Sequence, residues 1–164
     1  MYFKHKNFIA VALFSVSLIV SPIILAQENA NTDHGIFTPK DIKWQKAPDS
    51  LPKGAEIAVL EGDPAASGPF TIRLKFPANY QVLPHWHPGT EHVTVISGDF
   101  YLGMGDQLDQ KKMTKMPAGS FAFMAPETHH FASTKGQTVI QLNGVGPWGI
   151  TYINEKDDPR NAKS

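Results

Sequence analysis

The sequence predicts an all-β fold, a sandwich or antiparallel barrel of short strands in a single domain. Thirteen glycines and thirteen prolines are spread through the 164 residues, and any helix of ordinary length would have to avoid them. Between them lie short runs that are either apolar throughout or alternate between apolar and polar residues, as half-buried strands do. A chain of this length has room for one domain with a sizeable core, but not comfortably for two.

The predicted strands are bounded by turn residues. In residues 70–76, for example, Ile72, Leu74 and Phe76 alternate with polar neighbours and the run stops at Pro77. In chain order the runs are EIAVL (56–60), FTIRLKF (70–76), YQVLPHWH (80–87), EHVTVI (91–96), FYLGM (100–104), SFAFMA (120–125), TVIQLNGV (138–145) and GITYIN (149–154). A further strand is predicted in APETHHF (125–131), after a proline turn.

The ends of the chain differ from this strand-rich middle. A basic start, a long apolar run and the small residue Ala26 are typical of a secretory signal peptide cleaved after Ala26. An uncleaved membrane anchor is the alternative, because the apolar run approaches spanning length. We therefore expect a signal peptide at residues 1–26, a tail and lead-in strand at 27–49, the barrel domain at 50–154 and a polar tail at 155–164.

Composition restricts the compartment and the partners. The chain has no cysteine, so its core must hold it without disulfides, and with the signal peptide this favours a bacterial periplasm and no membrane contact after cleavage. Loss of residues 1–26 removes two of the 15 basic residues and none of the 15 acidic ones, which leaves a net charge of −2. A near-neutral chain without a basic cluster is not expected to bind nucleic acid.

The residues with the clearest chemistry lie in PHWHPGTE, at positions 84–91. If this run is extended, His85 and His87 project from the same side, because residues two apart on a strand share a face. Glu91 opens the next strand on its inward face, where a carboxylate is costly unless a cation neutralises it. Imidazole and carboxylate ligands predict a divalent transition metal (iron, manganese, nickel, copper or zinc) rather than calcium.

A fourth ligand is available in the second half of the chain. His129 and His130 are adjacent on the predicted strand at 125–131. Adjacent strand residues face opposite ways, so only one of the two can join His85 in the interior. The spacing alone leaves both open.

Two stretches resemble the motifs of the cupin family. HWHPGTEHVTVISG is similar to the first motif, with matches at His85, His87, Glu91 and Gly98. PAGSFAFMAPETHHF is similar to the second.

In this second motif Gly119 fits the first turn. Glu127 or Thr128 stands where glycine is usual. Matching back from Phe131 puts His130 at the ligand position, whereas counting from Pro126 leaves His129 as the alternative.

The resemblance covers about residues 50–154 and implies a jelly-roll β-barrel, a metal centre of three histidines and one glutamate, and commonly a homodimer. Its open coordination positions imply a small-molecule ligand or substrate. We expect a metal-dependent oxygenase or related oxidoreductase. A metal-dependent isomerase or lyase is one alternative, with Tyr80, Tyr152 or Glu127 as a proton-transferring group. A non-catalytic binding or sensing barrel is the other.

Two further residues are candidates for contact with a substrate. Arg73 lies in the middle of a predicted strand and could hold an anionic group by its planar fork, although a salt bridge at the rim is the commoner role. Gln141 alternates with Asn143 on one strand and could supply hydrogen bonds inside the barrel.

Overall fold

The structure is a computed structural model that describes residues 34–162. The predicted signal peptide and its cleavage after Ala26 lie outside these residues. Within them no helix is long and apolar enough to cross a membrane.

The strands are β1 Gln45–Lys46, β2 Glu56–Glu61, β3 Gly68–Phe76, β4 Gln81–Trp86, β5 Glu91–Ser97, β6 Asp99–Met104, β7 Thr114–Pro117, β8 Phe121–Met124, β9 His130–Thr134, β10 Thr138–Gly146 and β11 Thr151–Tyr152. Short 3-10 helices span Pro39–Asp41, Gln110–Lys112, Glu155–Asp157 and Pro159–Asn161.

The strands form two sheets with antiparallel pairing. One sheet has the order β1-β2-β3-β10-β5-β8, and the other has the order β11-β4-β9-β6-β7. The long pair β3 and β10 forms the centre of the first sheet, with Ile72 opposite Leu142 and Leu74 opposite Ile140. The predicted all-β fold, a two-sheet antiparallel jelly roll, is confirmed.

Alternation along the strands decides which side chains enter the core. On β3, Ile72, Leu74 and Phe76 are buried, while the residues between them are half-buried on the other face. On β5, Val93 and Val95 are 1% exposed. Burial of each such side chain stabilises the fold by about 1.5–3 kcal/mol. The core therefore lies between the two sheets, built from the inward positions that the sequence predicts.

Strand β4 departs from simple alternation in a way that matters for function. Val82 and His85 are three residues apart, so an uninterrupted strand would turn them to opposite faces. The pairing of β4 with β9 shifts register between these two residues, and both side chains line the interior cavity. The irregularity lets a strand that carries Val82 into the core also turn His85 inward, with His87 directly after its end.

Two short edge strands carry little side-chain signal. β1 lies within the tail and lead-in strand expected at 27–49, although both of its residues are exposed. β7 was not predicted, and only its Met116 is buried, so it has no apolar pattern that could reveal it. Conversely, only Thr151–Tyr152 of the predicted strand at 149–154 pairs, with β4. Backbone pairing at a sheet edge leaves little trace in the side chains, which explains these differences.

The turn between β5 and β6 gives a first prediction. Gly98 has φ +79°, and a Cβ added there would lie 2.5 Å from the carbonyl oxygen of Gln137. We expect Gly98→Ala to lower the free energy of unfolding by about 1–3 kcal/mol, measured by urea denaturation. Gly136→Ala is the control, because a Cβ at Gly136 would meet nothing within 4 Å. Equal stability of the two variants would contradict the described turn.

Candidate metal centre

Three histidine side chains meet at one end of the barrel interior. His85 lies on β4 directly opposite His130, the first residue of β9, and His87 follows the end of β4. All three are buried, and each offers a ring nitrogen within 4.8 Å of those of the other two. Among the described residues, these three histidines form the cluster of potential ligands (His, Cys, Asp or Glu) that could hold a metal ion.

Backbone carbonyls fix the orientation of the three rings. The Nδ1 atoms of His85, His87 and His130 lie 2.7, 2.7 and 2.8 Å from the carbonyl oxygens of Leu83, Gly149 and Thr128 respectively. A carbonyl oxygen can only accept, so each Nδ1 carries the hydrogen and donates it. Each Nε2 is then left with its lone pair free for a ligand, the arrangement in which metal-binding histidines are held.

Glu91 supplies the negative charge of the cluster. Its Oε2 atom lies 3.1 Å from His130 Nε2 and 3.7 Å from His87 Nε2. The carboxylate is buried, and among the described side chains Oε2 is the buried oxygen that lacks a hydrogen bond of acceptable geometry. Such an atom is destabilising unless a proton or a cation satisfies it.

Burial and charge set the protonation of the three imidazoles. Burial lowers the pKa of His85 well below its usual range, and the neighbouring His130 and His87 lower it further. Burial likewise lowers the pKa of His87. Burial opposes protonation of His130 too, but its contact with Glu91 outweighs this and raises its pKa. His85 and His87 are therefore neutral at pH 7, the state in which imidazole binds a metal.

These donors fit a divalent transition metal. Three inward Nε2 atoms and an unsatisfied carboxylate oxygen are a mixed nitrogen and oxygen set, which suits iron, manganese, nickel, copper or zinc. A cation among them would satisfy Glu91 Oε2 without requiring a proton on any imidazole.

The two adjacent histidines of the second motif have different surroundings. His130 belongs to the buried cluster, whereas His129 is partly exposed and its Nδ1 lies 2.6 Å from Asp106 Oδ1. The turn before them places Glu127 at φ +60°, in the left-handed region that favours glycine. The departure of this sequence from the usual motif is thus at Glu127, and His130 is the residue that the turn delivers to the interior.

The two predicted substrate residues do not face the interior. Arg73 and Gln141 are opposite one another on β3 and β10, and Arg73 Nε donates to Gln141 Oε1 at 3.2 Å. Both point to the outer face of the six-stranded sheet, because Ile72 and Leu74 on either side of Arg73 point inward. Asn143 is on the same outer face and donates to Thr71 Oγ1. The expectation that these side chains line the pocket is therefore wrong.

An apolar cavity of about 270 Å³ adjoins the histidine cluster. Its walls come from both sheets, and loop residues complete the lining; we call these loop residues the mouth, and they are Pro48, Ser50, Leu51, Pro64, Ala65, Trp148, Gly149 and Ile150. The indole of Trp148 stacks on the ring of His87, with centroids 4.4 Å apart and planes at 19°. The candidate ligand set therefore opens into a space that a small molecule could occupy.

Comparison with known families agrees with this geometry. Residues 32–148 match the family model of the ChrR cupin-like domain. The chain belongs to this family, and so to the cupins. No curated protein matches this cupin significantly.

Several solved structures share the fold at low sequence identity. The polyketide cyclase RemF from Streptomyces resistomycificus superposes with a TM-score of 0.64 and 16% identity, over 77% of this chain and 89% of that one. A proposed acetylacetone dioxygenase from Methylibium petroleiphilum gives 0.57 and 15%, over 78% and 87%. An RmlC-like cupin from Shewanella frigidimarina gives 0.53 and 14%, over 70% and 91%. At these identities the likeness shows the fold alone.

The sequence did not reveal the groups that orient the histidines. Leu83, Thr128 and Gly149 act through backbone carbonyls, which every residue type carries, so no side-chain pattern could identify them. The sequence did not single out Trp148 either. Its contact with His87 depends on the path of the chain after β10, which the sequence does not specify.

Proposed function

We propose that this cupin binds one divalent transition metal through His85, His87, Glu91 and His130 and acts as an oxygenase or related oxidoreductase on a small organic molecule. The carrying observation is that three inward imidazole nitrogens and an unsatisfied buried carboxylate meet at the wall of an apolar cavity. When bound, any of these metals would supply Lewis-acid chemistry toward an organic substrate, and a redox-active one such as iron, manganese, nickel or copper, unlike zinc, would also supply one-electron chemistry toward dioxygen.

The chain's own residues would have three tasks in this reaction. The three histidines and Glu91 hold the metal, and the carbonyls of Leu83, Gly149 and Thr128 keep the imidazoles in one tautomer. The apolar walls exclude water and orient the substrate against the cluster.

An isomerase or lyase is less well supported, because it needs a side chain that moves protons in the cavity. Tyr80 and Tyr152 donate their hydroxyls to the carbonyls of Pro52 and Ser50 instead. Burial raises the pKa of both phenols. Glu127 is exposed, and none of the three lines the cavity. The named activities of two structural relatives, a cyclase and a proposed dioxygenase, support a small organic substrate without choosing between the reactions.

Oxygen uptake tests the proposed reaction. Ferrous-loaded protein is expected to consume dioxygen in the presence of one member of a panel of catechols, thiols and ketones, and the chelated protein and a His87→Ala variant are expected not to. Turnover that needs the metal but no oxygen would favour the isomerase or lyase. A bound small molecule that survives purification unchanged, with no turnover by any metal form, would favour a non-catalytic binding barrel.

Two other expectations stay predictions. Export to a bacterial periplasm rests on residues 1–26 and is tested by N-terminal sequencing of the protein recovered from that compartment. The homodimer rests on the family resemblance. It is supported by the exposed Phe121 and Phe123 on the edge strand β8, and is tested by analytical ultracentrifugation.

A further inference from the structure

We infer that the substrate is a neutral and largely apolar molecule with a single polar end, bound with that end at the metal cluster and its body in the barrel. That the ligand is a substrate rests on the proposed function. The preference for neutral apolar ligands follows from the cavity itself and holds for the metal-free protein as well.

The walls of the cavity carry almost no polar groups. Away from the cluster the lining is aliphatic and aromatic, with Leu74, Phe76 and Ile140 from the six-stranded sheet facing Val82, Phe100 and Leu102 from the other. No lysine, arginine, asparagine or glutamine is among the described residues that line it. A ligand in this space gains from apolar contact and can form no hydrogen bonds with the side chains of these walls.

Other polar side chains of the barrel form hydrogen bonds within the protein and do not face the ligand. The hydroxyls of Tyr80 and Tyr152 donate to the backbone carbonyls of Pro52 and Ser50, at 2.5 and 2.8 Å respectively. Arg73 and Gln141 pair with each other on the outer face of the sheet. The side chains with polar atoms that line the cavity are therefore the four of the cluster, Ser50, and Trp148, whose indole stacks on His87 beside the cluster.

The mouth is held in place by the same bonds. Tyr152 anchors Ser50, Tyr80 anchors Pro52, and the backbone N–H of Trp148 donates to the carbonyl of Pro64 at 2.7 Å. Because these ties join three separate segments around the opening, the apolar shape exists before a ligand arrives. Selection by shape and polarity is then a property of the resting protein.

Charge excludes the alternative ligand classes. An anion deep in the barrel would meet no lysine or arginine, and His130 is already paired with Glu91, whose carboxylate would repel the anion in the absence of metal. A polyhydroxylated molecule such as a sugar would lose hydrogen bonds to water and regain few of them from aliphatic walls. A ketone, a phenol or a similar molecule with one oxygen-bearing end does not meet either penalty.

A ligand panel on the full mature chain tests this inference without relying on turnover. Acetophenone, benzoate and mannitol are titrated into chelated and zinc-loaded protein, and binding is measured by ligand-detected NMR. Acetophenone is expected to bind both forms. Benzoate is expected to bind the chelated form at least about tenfold more weakly than acetophenone does, and mannitol is expected not to bind it. Benzoate or mannitol binding to the chelated form as tightly as acetophenone would overturn the inference.

A pair of variants assigns the binding to the cavity. Ile140→Phe fills the interior from β10, a strand that carries none of the four proposed ligands, and is expected to weaken acetophenone binding about tenfold or more while zinc uptake is kept. Val139→Phe puts the same ring on the outer face of the same strand and is expected to change neither. Undiminished acetophenone binding by a folded Ile140→Phe would also overturn the inference. If Ile140→Phe does not fold, the ligand panel alone decides.

Zinc uptake distinguishes the two proposals, because a chain that binds acetophenone but takes up no metal refutes only the proposed function.

Discussion

His130→Ala is expected to lose the metal, whereas His129→Ala is expected to keep it. The two residues are adjacent, yet His130 is 2% exposed and 3.1 Å from Glu91, while His129 pairs with Asp106 on the surface. Removal of one ligand from a centre of four lowers metal affinity by at least about 100-fold, since loss of an outer partner of a ligand already costs about 10–100-fold.

Metal content after dialysis, followed by competition with a chelator, measures this difference. The parent and His129→Ala are expected to retain about one equivalent of metal, and His130→Ala close to none. Urea denaturation of the chelated proteins is the control for folding, because a variant that is merely unfolded would also lose the metal. Retention by His130→Ala and loss by His129→Ala would reverse the assignment. Equal retention by both would refute the centre as proposed.

The sequence could predict the positions that alternation governs. Ile72, Leu74, Val93 and Val95 are inward as predicted, because the period of a strand is two whatever its partners are. Glu91 is inward for the same reason, since it shares a face of β5 with Val93 and Val95, and its carboxylate meets His87 and His130 there.

The sequence could not predict positions that depend on register or on the face of a distant strand. Whether His129 or His130 turns inward depends on the turn at Glu127, where the expected glycine is missing and the left-handed conformation gives no side-chain signature. The outward position of Gln141 depends on which face of β10 meets the other sheet. Gln141 alternates with Asn143 on one face and with the buried Ile140 and Leu142 on the other, and it is the apolar pair that faces the interior. The structure instead confines polarity to the cluster.

Glu91→Leu is expected to stabilise the metal-free protein while abolishing the stabilisation that added metal provides. Glu91 Oε2 is buried without an adequate hydrogen bond, and a buried unsatisfied polar atom costs about 1–3 kcal/mol. An aliphatic side chain in this position removes that penalty and packs against the apolar cavity. The free energy of unfolding of the chelated variant is therefore expected to exceed that of the chelated parent by about 1–3 kcal/mol at a pH of about 8.5.

The gain is expected to shrink as the pH falls. Contact with Glu91 raises the pKa of His130 in the folded protein above its unfolded value, despite burial. The pair therefore stabilises the parent fully below the unfolded pKa, and this contribution disappears as the pH rises through the folded pKa. Toward about pH 6 the parent recovers stability that Glu91→Leu cannot, so the two unfolding curves are expected to converge.

Glu91→Gln separates charge from shape in this experiment. The amide keeps the size of the carboxylate and removes its charge, so it is expected to lose metal binding as the leucine variant does but to gain less stability, because a polar group stays buried. Thermal unfolding with and without zinc measures the stabilisation that bound metal provides. The parent is expected to melt at a higher temperature with zinc, and both variants at an unchanged one. A chelated Glu91→Leu protein less stable than the parent at pH 8.5 would mean that the carboxylate is well satisfied without metal. Greater stability with the zinc response lost would mean that the barrel tolerates an unfavourable carboxylate in its interior because a bound cation compensates it.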